Sequence, residues 1–141
     1  MKWPRIDHRL LIPFEAAALV ATAALTPWWG TILVVGVLRS LFFSSVRRLS
    51  FLAFASWAGV SAYRDFENLH GPSRIFAKVF SLSKFGLPLD SDASRAVVFA
   101  AIGFVGFAMA FFSATGVASL QQVFTKALVA VKSQPDVRRT F

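Results

Sequence analysis

Cysteine is absent from all 141 positions. That absence removes disulfides, thiolate metal sites, iron–sulfur clusters and thiol nucleophiles. Charge is scarce too: Asp, Glu, Lys and Arg make up 16% of the chain, against roughly 25% in soluble domains. Histidine occurs twice, at His8 and His70. The pair falls on opposite sides of the membrane arrangement derived below, which disfavours a bis-histidine haem within one chain. No metal-ligand spacing, glycine-rich phosphate loop or Ser-His-Asp arrangement is present. The residues therefore point to no cofactor and to no enzyme.

What is abundant is hydrocarbon. Hydrophobic residues reach 56%, sixteen of them Phe, and mean hydropathy is +0.61. The few charges cluster, leaving long spans almost free of them. The pattern is that of an integral membrane protein. Net charge is +8, but the cations flank apolar spans and form no aromatic-interleaved patch. They read as topology signals, with no nucleic-acid partner. Lys2, Arg5 and Arg9 before an apolar run, with Ala21-Thr22-Ala23 beyond it, imitate a cleaved signal peptide. Glu15 would interrupt that apolar region, so the segment is expected to be a retained helix.

Residues 10–43 carry two charges, Glu15 and Arg39. At roughly 20 residues per membrane crossing, the stretch suits two helices. Thr26-Pro27-Trp28-Trp29-Gly30 supplies the break, with a helix-disfavouring Pro beside a permissive Gly. Trp28 and Trp29 suit the headgroup level as interface anchors. The expected hairpin is roughly 8–26 and 28–45. Glu15 and Arg39 each lie twelve residues from Pro27, so folding there brings them to one depth. An isolated charge near a membrane helix centre costs about 2.5–3.5 kcal/mol. An intramembrane Glu15–Arg39 ion pair fixing the register of the hairpin is the expected compensation.

A third span is expected at about 49–64, ending at the anchor Tyr63, and a fourth at about 96–116. The outer loop 64–95 contains "SRIFAKVFSLSKFGL" (73–87). Helical spacing puts Ile75, Phe76, Val79, Phe80 and Leu82 on one side and Arg74, Lys78, Ser81 and Lys84 opposite. This predicts an amphipathic interfacial helix. Asp or Ser in "LDSDASR" is the expected cap of the fourth helix. Ala96, Ala100, Gly103, Ala110 and Ala114 form a small-residue stripe for close packing. Beyond Gly116 the pattern becomes amphipathic, and the helix is expected to run outside the membrane to about Ser133, stopped by Pro135. A basic extension and tail, 117–141, follows.

The fold class is thus all-α, a polytopic single membrane domain (1–141) of four transmembrane helices. Four spans place both termini and "SSVRR" (44–48) on one side, with ten of the fifteen cations. By the positive-inside rule that side is cytoplasmic, and the expected location is a bacterial inner membrane.

Four short helices with a carboxylate in the first resemble the small multidrug resistance transporters, through Glu15 and, loosely, "SWAGVSAY" in the third span. The resemblance would imply proton exchange for cationic drugs at Glu15. The chain departs from that family by pairing Glu15 with Arg39, by a 32-residue loop and by a protruding last helix. The leading expectation is a non-enzymatic subunit or accessory protein of a larger membrane complex. Its partners would be the lipid bilayer and other membrane subunits or a second copy. A small proton-coupled transporter or channel using Glu15 is the alternative, and a toxin-immunity or holin-like protein a third.

Overall fold

A computed structural model describes residues 8–69, 71–88 and 91–133. Five α-helices follow in order: α1 (His8–Leu25), α2 (Trp28–Phe42), α3 (Val46–Glu67), α4 (Gly71–Val79) and α5 (Asp92–Ser133). A 3₁₀ turn at Leu82–Phe85 lies between the last two. The described residues contain no strand. His70, Pro135, the basic tail and the cations Lys2, Arg5, Arg138 and Arg139 lie outside them.

The first break falls where Pro and Gly put it. Pro27 is extended (φ −61°, ψ 166°), while Thr26 turns its hydroxyl back onto the Thr22 carbonyl at 2.8 Å. The second break needs no Gly. Phe43 adopts the left-handed conformation (φ 51°) and donates its N–H to the Arg39 carbonyl, closing α2 with an αL cap. Helix α3 runs about a turn past the expected span at its start and nearly as far at its end, taking in Arg47, Arg48, Arg64, Asp65 and Glu67. Charged residues end an apolar span, but most of them are competent helix formers. At the last helix, the Ser91 hydroxyl accepts the Ser94 N–H at 3.2 Å, the expected capping geometry. Helix α5 then continues unbroken for 42 residues, about 63 Å.

The loop departs from expectation. Residues 73–87 do not form one helix. Ser81 is left-handed (φ 53°), and Gly86 (φ 77°) closes the 3₁₀ turn. The kink lets Leu82 turn inward with Ala77 onto Val98. Helix α4 therefore buries Ser73 and Ala77 and leaves Ile75, Phe76, Val79 and Phe80 exposed.

Helices α3 and α5 make the most extensive contact, and α1 and α2 complete the bundle. The core joins Leu19, Val35, Leu38, Leu49, Ala53, Ala110 and Ala114. Close approach depends on two glycines of α5. A Cβ on Gly103 would stand 2.9 Å from the Phe54 ring, and one on Gly106 would stand 2.7 Å from the Trp57 ring and 3.0 Å from the Ala53 carbonyl. The packing stripe is thus Gly103, Gly106, Ala110 and Ala114. Ala96 is exposed and Ala100 only half-buried, because near its start α5 faces α4 and buries Val98 instead.

One stretch, within α5, is long and apolar enough to cross a membrane by length and composition; the apolar helices Leu10–Leu25 and Trp28–Phe42 are shorter. Overpacking at the α3–α5 contact is the sharpest test of the fold. Gly106→Leu should cost about 1–3 kcal/mol by forcing Trp57 aside. Gly116→Ala, where an added Cβ meets nothing within 4 Å, should be neutral or stabilise by up to about 1 kcal/mol. Melting both variants in detergent checks the contrast.

Candidate functional site

An ionisable side chain is placed where the bundle holds no bulk water. Glu15 lies on α1 two turns from its start, and its side chain has 0% exposure. Its charge is met from α3. Arg48 Nη2 donates to Glu15 Oε1 at 2.9 Å, and Arg48 Nε stands 2.8 Å from Oε2. That second approach is a charge contact, off the line of a good hydrogen bond. The Ser44 hydroxyl, in the link between α2 and α3, donates to the same Oε1.

Arg39 does not make the expected pair. It reaches down the end of its own helix, and its Nη1 donates to the Ser44 carbonyl at 2.6 Å. Counting from the hairpin turn addresses depth, and depth does not decide adjacency. Helix α1 packs more extensively on α3 than on α2, and Arg48 lies one turn into α3. Arg39 instead satisfies a carbonyl beyond the end of α2, a role basic side chains fill at helix C-termini. The two arginines are still joined through Ser44, whose hydroxyl serves Glu15 and whose carbonyl serves Arg39. "SSVRR" therefore carries the site, although its residues signal only a polar turn. The one available clue was that a buried carboxylate has three arginines to choose from at that end.

Polar ties recur along the bundle. Trp57 Nε1 donates to Thr31 Oγ1 at 3.0 Å, joining α3 to α2. The Ser113 hydroxyl donates to the Ile32 carbonyl at 2.7 Å, joining α5 to α2. Arg64 reaches the Ala24 carbonyl at the end of α1. A second buried carboxylate, Asp65, is 1% exposed. It accepts the Ser73 N–H at 2.7 Å and the Ser73 hydroxyl at 2.8 Å, fastening the start of α4 to α3. No sequence signal marked Asp65, one of four acids between residues 64 and 95. Trp28, Trp29 and Tyr63 are all exposed and, by the antiparallel run of α2 and α3, lie at the bundle end opposite Glu15.

Chemically, the Glu15 node is an internally neutralised ion pair. Its groups are positioned to hold helices together, and no nucleophile–base pair accompanies them. Among the described residues no group of three or more His, Asp or Glu side chains could hold a metal ion. No family model, curated protein or solved structure matches the chain.

Breaking the pair from one side leaves a charge without its partner. Glu15→Gln should therefore destabilise by about 2–4 kcal/mol, and Glu15→Gln with Arg48→Met should recover part of the loss. Arg39→Met combined with Glu15→Gln should show no such recovery. Thermal melts of six proteins, the wild type, Glu15→Gln, Arg48→Met, Arg39→Met and the two double variants, give the coupling energies.

Proposed function

We propose that this chain is a non-enzymatic integral membrane subunit or assembly factor, crossing the membrane four times with both termini cytoplasmic. One observation carries the membrane part: polarity is inverted. Glu15, Thr31, Ser44, Ser50, Ser56 and Asp65 are buried, whereas Leu10, Phe14, Leu33, Phe51, Phe104 and Phe112 are exposed. In water such a surface exceeds the apolar patches that monomers tolerate. In lipid it is the expected solvent-facing surface, with small and hydrogen-bonding residues at the helix contacts. Helices α1 and α2, about 27 and 22 Å long, fall short of a hydrocarbon core of about 30 Å. Flanking Trp and Arg side chains and local thinning of the bilayer accommodate such a mismatch.

The subunit part rests on the far half of α5. Leu120, Val123, Phe124, Leu128 and Val131 are 59–71% exposed. An apolar face of that kind, extending from the membrane, suits a partner's helix. A transporter acting through Glu15 is less well supported. It requires a carboxylate facing a watery path, and Glu15 is enclosed by Arg48 and Ser44.

Retention in membranes after alkaline carbonate extraction, followed by native mass spectrometry with a co-purifying protein, is the expected outcome. Phe124→Glu with Leu128→Glu should release that protein and leave the melting temperature unchanged. A clean monomer from the wild type would count against the subunit reading. Topology is checked by cysteine labelling at exposed Ser83 from outside and at Val131 from the cytoplasm. Ser73, in the same loop, is buried against Asp65 and unsuited to a probe. Both labelled from one side would overturn the four-span count.

A further inference from the structure

Along the seam between α2 and α5 lie two successive grooves of opposite character. The first, about 320 Å³, is lined by Arg39, Ala118, Gln121, Gln122, Thr125 and Lys126. Two cations and two amides face it, and among the described residues no acid does. Arg39 spends Nη1 on the Ser44 carbonyl and, half-buried, lines the groove. An arginine with donors to spare, opposite a lysine, is matched to the oxygens of a phosphate. The only described acid near this end, Glu15, is already neutralised by Arg48.

The second groove, about 460 Å³, is lined mostly by apolar residues that include Leu33, Val37, Leu41 and Val117, together with Gly36. A Cβ at Gly36 would meet its nearest neighbours at 3.6–3.7 Å, ordinary contact distance. Helix packing therefore does not demand glycine there, and its bareness serves to deepen the groove. Ser40 and Val117 line the apolar groove, and their chain neighbours Arg39 and Ala118 line the cationic one. The order along the seam is that of a phospholipid: phosphate at the cytoplasmic headgroup level, acyl chain beneath it.

We propose that this seam binds the phosphate of an anionic phospholipid through Arg39 and Lys126, with an acyl chain against Gly36. The assignment rests on the membrane reading above. Basic pockets between membrane helices on the cytoplasmic side are a recurrent mode of headgroup binding.

The purified full chain in detergent is titrated with phosphatidylglycerol, phosphatidylcholine or inorganic phosphate, and binding is followed by native mass spectrometry and by melting temperature. Phosphatidylglycerol should bind and stabilise, and the other two should not. Lys126→Gln, on an exposed stretch of helix with no part in the core, should weaken binding about fivefold, the contribution of one basic residue near an anionic lipid surface. Arg39→Gln should weaken it at least as much, and Gly36→Leu should weaken it with every charge intact. Equal stabilisation by inorganic phosphate would overturn the lipid in favour of a soluble anion. Phosphatidylglycerol bound no better than phosphatidylcholine, or unaffected by Lys126→Gln and Arg39→Gln, would overturn the proposal. Release from membranes by alkaline carbonate would instead remove the membrane reading itself. Retention there without selective phosphatidylglycerol binding leaves that reading intact and removes only this one.

Discussion

A carboxylate buried to 0% exposure has to be compensated, and the arrangement of α1, α2 and α3 follows from how that is done. Glu15 takes a guanidinium from α3 and a hydroxyl from the α2–α3 link. Those contacts fix the height of α1 against α3 at one end of the bundle, and Arg64 on the Ala24 carbonyl fixes it at the other. The two ties are 16 residues apart on α3, about 24 Å, so neither helix can slide or rotate without breaking one. In a poorly hydrated interior the loss of the Glu15 contacts is costly, whereas the Arg64 tie lies on the exposed surface.

The contact between α3 and α5 is of another kind. Helix α5 is held by absence of bulk: Gly103 and Gly106 admit the Phe54 and Trp57 rings, and Ala110 and Ala114 sit in the core. Edge-to-face contacts between Phe54 and Phe104 and between Phe51 and Phe107 flank that approach. The bundle thus combines a polar lock between α1 and α3 with a steric fit between α3 and α5. Specificity of register comes mainly from the first and area of contact mainly from the second.

The sequence made the helical class, the Pro27 break and the cap at Ser91 legible, because each depends on local chemistry. Three features were not. Arg48 was hidden because hairpin symmetry measures depth, whereas pairing depends on which helix α1 packs against. Gly106 was missed because a stripe extrapolated from Ala96 and Ala100 assumes one partner along the whole helix, and α5 changes partner from α4 to α3. The kink at Ser81 escaped because the amphipathic period runs through it without interruption. Only the burial of Leu82 against Val98, a tertiary gain, reveals why the helix stops. Asp65 is the extreme case: it binds the N–H and hydroxyl of Ser73, eight residues on and brought back by a turn.

Helix α5 contains no Pro between Asp92 and Ser133 and keeps one unbroken ladder of backbone hydrogen bonds. It is therefore a stiff lever pivoting on the α3 contact. Some 17 residues lie beyond Gly116, an arm of about 25 Å. A change in tilt of about 10°, well inside the range membrane helices occupy, would swing the free end by about 4 Å. Adjustments made where Trp57 meets Gly106 would reach the far end of α5 as displacement of a whole side-chain width.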